Sequence, residues 1–136
     1  MSKVDDSKKV PLTVWILGFA SLLTDVSTEL IHAILPNYMS AVLHASFIDI
    51  GFIEGLAETL ASLLKIFSGA WSDRIGRRKE LLLIGYGLSA LVKPLYLVAN
   101  SVAIVLAARL ADRVGKGIRG APRDALVADI TSAENR

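Results

Sequence analysis

The sequence predicts an all-α membrane protein whose helices cross the bilayer four times. Three observations carry this expectation. The 136 residues are 53% hydrophobic, with a mean hydropathy of +0.52, more apolar surface than a soluble chain of this length hides. The apolar residues gather in four segments, each long enough for a hydrocarbon core that takes about 20 helical residues. Basic residues fall in alternate connections, the pattern that orients spanning helices.

The first segment runs from Leu12 to Tyr38 and is interrupted by Asp25, Glu29 and His32. The second, Phe47 to Trp71, carries Asp49, Glu54, Glu58 and Lys65. The third, Leu81 to Val98, holds only Lys93 and has almost no polar face, which argues against a soluble four-helix bundle. The fourth starts near Val102, runs to about Ala121 and is rich in charge. Residues 1–11 are thus expected to form a cytoplasmic tail. Residues 12–136 form the spanning part, with spans at about 12–38, 47–71, 81–98 and 102–121. Lys3, Lys8 and Lys9 precede an apolar run, but no small-residue cleavage site follows it, so a signal peptide is not expected. The loop at Ser72–Glu80 holds Arg74, Arg77, Arg78 and Lys79, while the connections on either side lack Lys and Arg. The N-terminus and the second loop are therefore placed on the cytoplasmic side of a multi-pass protein in the cell membrane.

Charges inside the apolar segments are the most informative feature. An ionisable side chain facing mid-membrane lipid costs at least ~2.5 kcal/mol on insertion scales, so Arg109, Asp112, Arg113, Lys116 and Arg119 facing lipid together would cost more than ~12 kcal/mol. At about 100° per residue those five fall within an arc of roughly 120°. Asp25, Glu29 and His32 share one face of the first helix, and Glu54, Glu58 and Lys65 share one face of the second. Three charged stripes of complementary sign are expected to line a common polar cavity, where pairing offsets desolvation. Carboxylates held there suit proton exchange. Lys93 is expected to snorkel to the headgroups, Pro94 to kink or end its helix, and Gly51 with Gly55 to mark close helix packing.

Several classes are excluded or disfavoured. A net charge of +2 without an aromatic-interleaved basic patch gives no case for nucleic acid. Cysteine is absent, and His32 and His44 are separated by a proline and a loop, so neither a metal nor a cofactor is expected. No Ser/His/Asp set suggests an enzyme.

The second loop reads Gly69-Ala70-Trp71-Ser72-Asp73-Arg74-Ile75-Gly76-Arg77-Arg78. It resembles the major facilitator signature G-x-x-x-D-R-x-G-R-R and lies where that family carries it, between the second and third spans. Arg109 and Gly115 also match the family pattern R-x-x-Q-G-x-G, with Asp112 in place of the Gln and Arg113 in place of the first Gly. The run from Arg113 to Asp124, and Thr24-Asp25 with Pro36, resemble a bacterial subgroup of unassigned substrate. The resemblance implies a twelve-helix fold of which this chain is a truncated N-terminal part. The missing C-terminal helices would complete the cavity, and a fragment of this length is not expected to transport by itself. It also implies a cytoplasmic latch at Gly69, Asp73, Arg74, Gly76, Arg77 and Arg78, with the two final arginines at the anionic membrane surface.

The function expected is transport of a small solute by alternating access, proton-coupled, with bilayer, solute and protons as partners. Asp25, Glu29, His32, Glu54, Glu58, Lys65, Arg109, Asp112, Arg113 and Lys116 are the candidate substrate or proton-coupling groups. The cationic fourth helix favours an anionic or amphiphilic solute. The alternative is a non-transporting membrane scaffold or sensor with the same fold.

Overall fold

A computed structural model describes residues 10–131. The tail with Lys3, Lys8 and Lys9, and the closing residues to Arg136, lie outside the described residues. Four helices follow one another: α1 (Leu12–Ala41), α2 (Phe47–Ile75), α3 (Arg78–Leu97) and α4 (Val102–Ile130). No strand occurs among the described residues.

Local chemistry sets the boundaries. Ser46 caps α2 in a reciprocal box: its hydroxyl accepts from Asp49 N–H at 3.1 Å, and the Asp49 carboxylate accepts from Ser46 N–H at 3.1 Å. The turn before it places His44 at φ 53°, a left-handed conformation in which histidine is over-represented. Gly76 ends α2 at φ 70°, and its N–H returns to the Ser72 carbonyl. α3 begins two residues later, so the second connection is a tight reversal. Ser101 caps α4 by accepting from Ile104 N–H.

Three helices contain a proline and continue through it: Pro36 in α1, Pro94 in α3 and Pro122 in α4. Pro94 was expected to kink or end its helix; α3 continues to Leu97. α4 runs nine residues beyond the expected span end at 121, to Ile130.

α4 is the hub. It packs along α3 on one side and α2 on the other, while α1 makes few close backbone approaches to any neighbour. Backbones meet where side chains are absent. A Cβ on Gly115 would lie 2.7 Å from Ser89 Oγ and 2.8 Å from the Gly85 carbonyl, and one on Gly117 would lie 2.9 Å from the Ala61 carbonyl. The Gly117 carbonyl accepts from Ser68 Oγ at 2.9 Å, tying α2 to α4. The expected packing pair, Gly51 and Gly55, is exposed, with nothing within 4 Å of either. The spacing was present without a partner helix on that face.

Burial is inverted relative to a water-soluble fold. Phe47, Ile48 and Leu97 are each more than 80% exposed, whereas Arg109 is the largest fully buried side chain. The apolar core is small: Leu35, Met39, Ile53, Ala99 and Val105, near one end of the bundle. Such a distribution suits hydrocarbon outside and ion pairs within. α1 and α3 are long and apolar enough to cross a membrane by length and composition. α4 buries Arg109, Asp112, Arg113 and Arg119, whereas most charged side chains of α2 are exposed.

Candidate functional site

The interior charges form a ladder along α4, read here from its start toward its end. Arg109 comes first. Its Nε donates to Glu54 Oε1 at 3.0 Å and its Nη2 to Oε2 at 2.6 Å, a two-pronged pair across to α2. The same Nη2 touches Nδ1 of His32 on α1. One turn on, Arg113 contacts His32 Nε2 and lies 3.6 Å from Glu58 Oε2. His32 Nδ1 is 3.5 Å from Glu54. Three helices thus meet on one imidazole.

Further along, Arg119 donates to Asp25 Oδ1 at 3.1 Å, and its guanidinium lies 4.8 Å from the centre of the Tyr86 ring on α3. Ser21 Oγ donates to Asp25 at 3.2 Å and receives from Arg123. Lys65 pairs with Asp124 at 3.5 Å, and Arg123 pairs with the same carboxylate at 2.9 Å.

Most candidate residues therefore converge. Asp25, His32, Glu54, Glu58, Lys65, Arg109 and Arg113 each make an ionic or polar contact between helices. Lys116 lines the same face without an ion pair among the described residues. Glu29 is exposed on α1 and has no hydrogen-bonding or ionic partner among the described residues. Asp112 is not brought into the ladder. It is buried, and its Oδ1 lacks a hydrogen-bond partner among the described residues.

Lys93 departs from the expectation of snorkelling. Its Nζ turns inward, donating to Thr28 Oγ1 at 3.2 Å and reaching the Thr24 carbonyl at 3.5 Å. Its stem lies between α1 and α3, and those hydroxyl and carbonyl oxygens take the place of headgroups.

The glycine-and-arginine loop forms a clamp. Gly69 lets α2 approach α4, since a Cβ there would meet that of Ala121 at 3.2 Å. Arg78 pairs with Asp73 at 3.2 Å, contacts Asp129 of α4 and donates to the Ala125 carbonyl at 3.4 Å. It thereby ties the end of α2, the start of α3 and the end of α4, rather than standing free at the surface. Arg77 pairs with Glu80 at 3.2 Å, and Arg74 is exposed.

Sequence reasoning missed Asp124, Asp129 and the inward role of Arg123. All three follow Pro122, where the helical reading stopped. Carrying the helix through would have set Arg123 one turn from Arg119 on the same stripe. Among the described residues no group of three or more His, Cys, Asp or Glu side chains gathers to hold a metal.

An inside-out helical bundle with ion pairs joining its spans defines a polytopic membrane protein. Residues 17–136 match the family model of the Major Facilitator Superfamily, and the chain belongs to that family of transporters. It is 34% identical over 125 residues to an uncharacterized MFS-type transporter of Methanocaldococcus jannaschii, covering 92% of this chain and 31% of that protein. Uncharacterized proteins of Mycobacterium bovis and Mycobacterium tuberculosis are each 31% identical over 123 residues, covering 90% of this chain and 30% of theirs. The chain thus spans about a third of the length of these relatives. No solved structure matches the chain significantly.

Proposed function

We propose that the protein moves a small solute across the cytoplasmic membrane by alternating access, coupled to protons, with its N-terminus and the Asp73–Arg78 loop on the cytoplasmic side. The observation that carries the reading is the fully buried Arg109, held by Glu54 of α2 and touching His32 of α1. Ionisable groups from three helices sharing one buried node are costly for a passive scaffold and useful to a machine that moves charge. Family membership supports transport in general.

The node has a definite proton logic. A neutral imidazole offers one donor and one acceptor. Both ring nitrogens of His32 face guanidinium donors, Arg109 at Nδ1 and Arg113 at Nε2, so a neutral ring accepts from one of them and turns its N–H on the other. A second proton removes the remaining acceptor and releases both arginines to the carboxylates of α2, Arg109 to Glu54 and Arg113 to Glu58, 3.6 Å away. Protonation on α1 thus becomes a change of partner between α1 and α2. Glu29, exposed and one turn before His32 on α1, would pass protons to it.

The complete protein that carries this sequence, reconstituted in vesicles, is expected to show solute movement that responds to an imposed pH gradient. Glu54→Gln and His32→Gln should abolish that response, and Glu29→Gln and Glu58→Gln should weaken it. Transport left unchanged by all four replacements refutes the proton assignment.

A further inference from the structure

Below the His32 node, a second cavity of about 230 Å³ opens between α1, α2 and α4. Lys65, Lys116, Arg119 and Arg123 line it, beside Ala61, Gly117 and Gly120. Asp25 and Glu58 are the lining carboxylates.

The pairings leave this cavity short of negative charge. Asp25 is engaged by Arg119 at 3.1 Å, and Glu58 is drawn toward Arg113 at 3.6 Å. Asp124, beside the cavity, is shared by Lys65 and Arg123. One carboxylate therefore serves two cations, and Lys116 has none among the described residues. Two positive charges stand unmatched around one space. Arg119 is itself buried, so its charge is weakly screened by water, and Lys116 beside it has no carboxylate partner among the described residues. A compact anion with several oxygen acceptors meets both cations. The volume falls below that of drug-sized pockets, which start near 300 Å³, and suits a compact ligand.

We propose that this cavity binds a small dianionic oxyanion, a phosphate or a dicarboxylate, with Lys116 as its principal contact and Arg119, Lys65 and Arg123 closing around it. The assignment rests on the transporter reading for its use in solute movement, but not for its chemistry. The same phosphate chemistry is offered by a free anion and by the headgroup of an anionic lipid.

The test is equilibrium binding to the complete protein in nanodiscs of zwitterionic lipid, titrated separately with inorganic phosphate, succinate and chloride. Phosphate or succinate should bind and raise the unfolding temperature, with chloride inert. Lys116→Gln should weaken binding at least tenfold, Lys116→Arg should retain it, and Lys79→Gln, at the exposed start of α3, should leave it unchanged. A parallel titration with phosphatidic acid fixes the source: binding by this lipid alone, lost in Lys116→Gln, assigns the cavity to a headgroup and overturns the soluble solute. Absence of binding by every oxyanion, or binding indifferent to Lys116→Gln, overturns the site. Because no solute movement is measured, this failure leaves the transport reading standing. Conversely, intact binding beside absent transport would leave the site standing alone.

Discussion

The two sides of α4 are built by opposite means. Toward α3 it lies backbone against backbone, with Gly85 and Gly115 so close that neither tolerates a Cβ without displacement. Toward α1 it extends long cationic side chains: Arg109 and Arg113 to His32, Arg119 to Asp25, and Arg123 to Ser21. The first contact leaves no space and fixes two helices as one unit. The second holds a helix at a distance and leaves a cavity between. The contrast teaches that, in a bundle without a hydrophobic drive between helices, residue size sets whether an interface is a joint or a chamber.

The comparison can be broken most severely at the joint. Gly115→Leu drives a branched side chain into Ser89 and the Gly85 carbonyl. A loss of at least about 3 kcal/mol is expected, at the upper end for overpacking, seen as failure to accumulate folded in membranes or as a lowered unfolding temperature in micelles. On the chamber side, Arg109→Met leaves Glu54 without its cation. Losing one partner of a buried pair costs about 3–5 kcal/mol, but adding Glu54→Leu should recover more than half of it. A thermal-unfolding cycle over the two single variants and the double variant measures that recovery; additive losses would show that the pair is not coupled. Arg78→Ala should cost about 1–2 kcal/mol, reduced at high salt because Asp73 and Asp129 are largely solvated. Smallest of all, Gly51→Ala and Gly55→Ala should each stabilise by at most about 0.5–1 kcal/mol, the gain in helix propensity, since neither Cβ meets anything. A large loss there would reveal a neighbour on that face and redraw the comparison.

The sequence disclosed the faces and not the pairings. Hydropathy marks four segments because spanning helices exclude charge from lipid, and a period near 100° gathers Asp25, Glu29 and His32 on one side whatever they touch. Periodicity carries no information on relative height. It therefore gave no reason to match Arg109 with Glu54 rather than Glu58, or to leave Asp112 out of the ladder. Lys93 misled because a lysine near a helix end resembles an anchor until a neighbouring helix supplies Thr28. Gly51 and Gly55 differ in the reverse sense, as a packing spacing that no helix among the described residues covers. Pro122 concealed the last turns of α4, and with them Asp124 and Asp129. The loop with Gly76 was readable because its demand, a left-handed residue between two helices, is local.

The division of labour among the helices bears on how the chain enters a bilayer. α1 and α3 are greasy enough to partition unaided; α2 and α4 carry arginine, lysine and carboxylate in their middles and are not. Each reluctant segment follows a willing one in the chain, and α3 presents a glycine to which α4 can dock on arrival. It follows that α4 meets its two main neighbours, α2 and α3, already made when it emerges, whereas α2 gains its main neighbour only when α4 arrives. A change that leaves the final fold intact but weakens the early contact between Gly85 and Gly115 would strand α4 at the interface during synthesis.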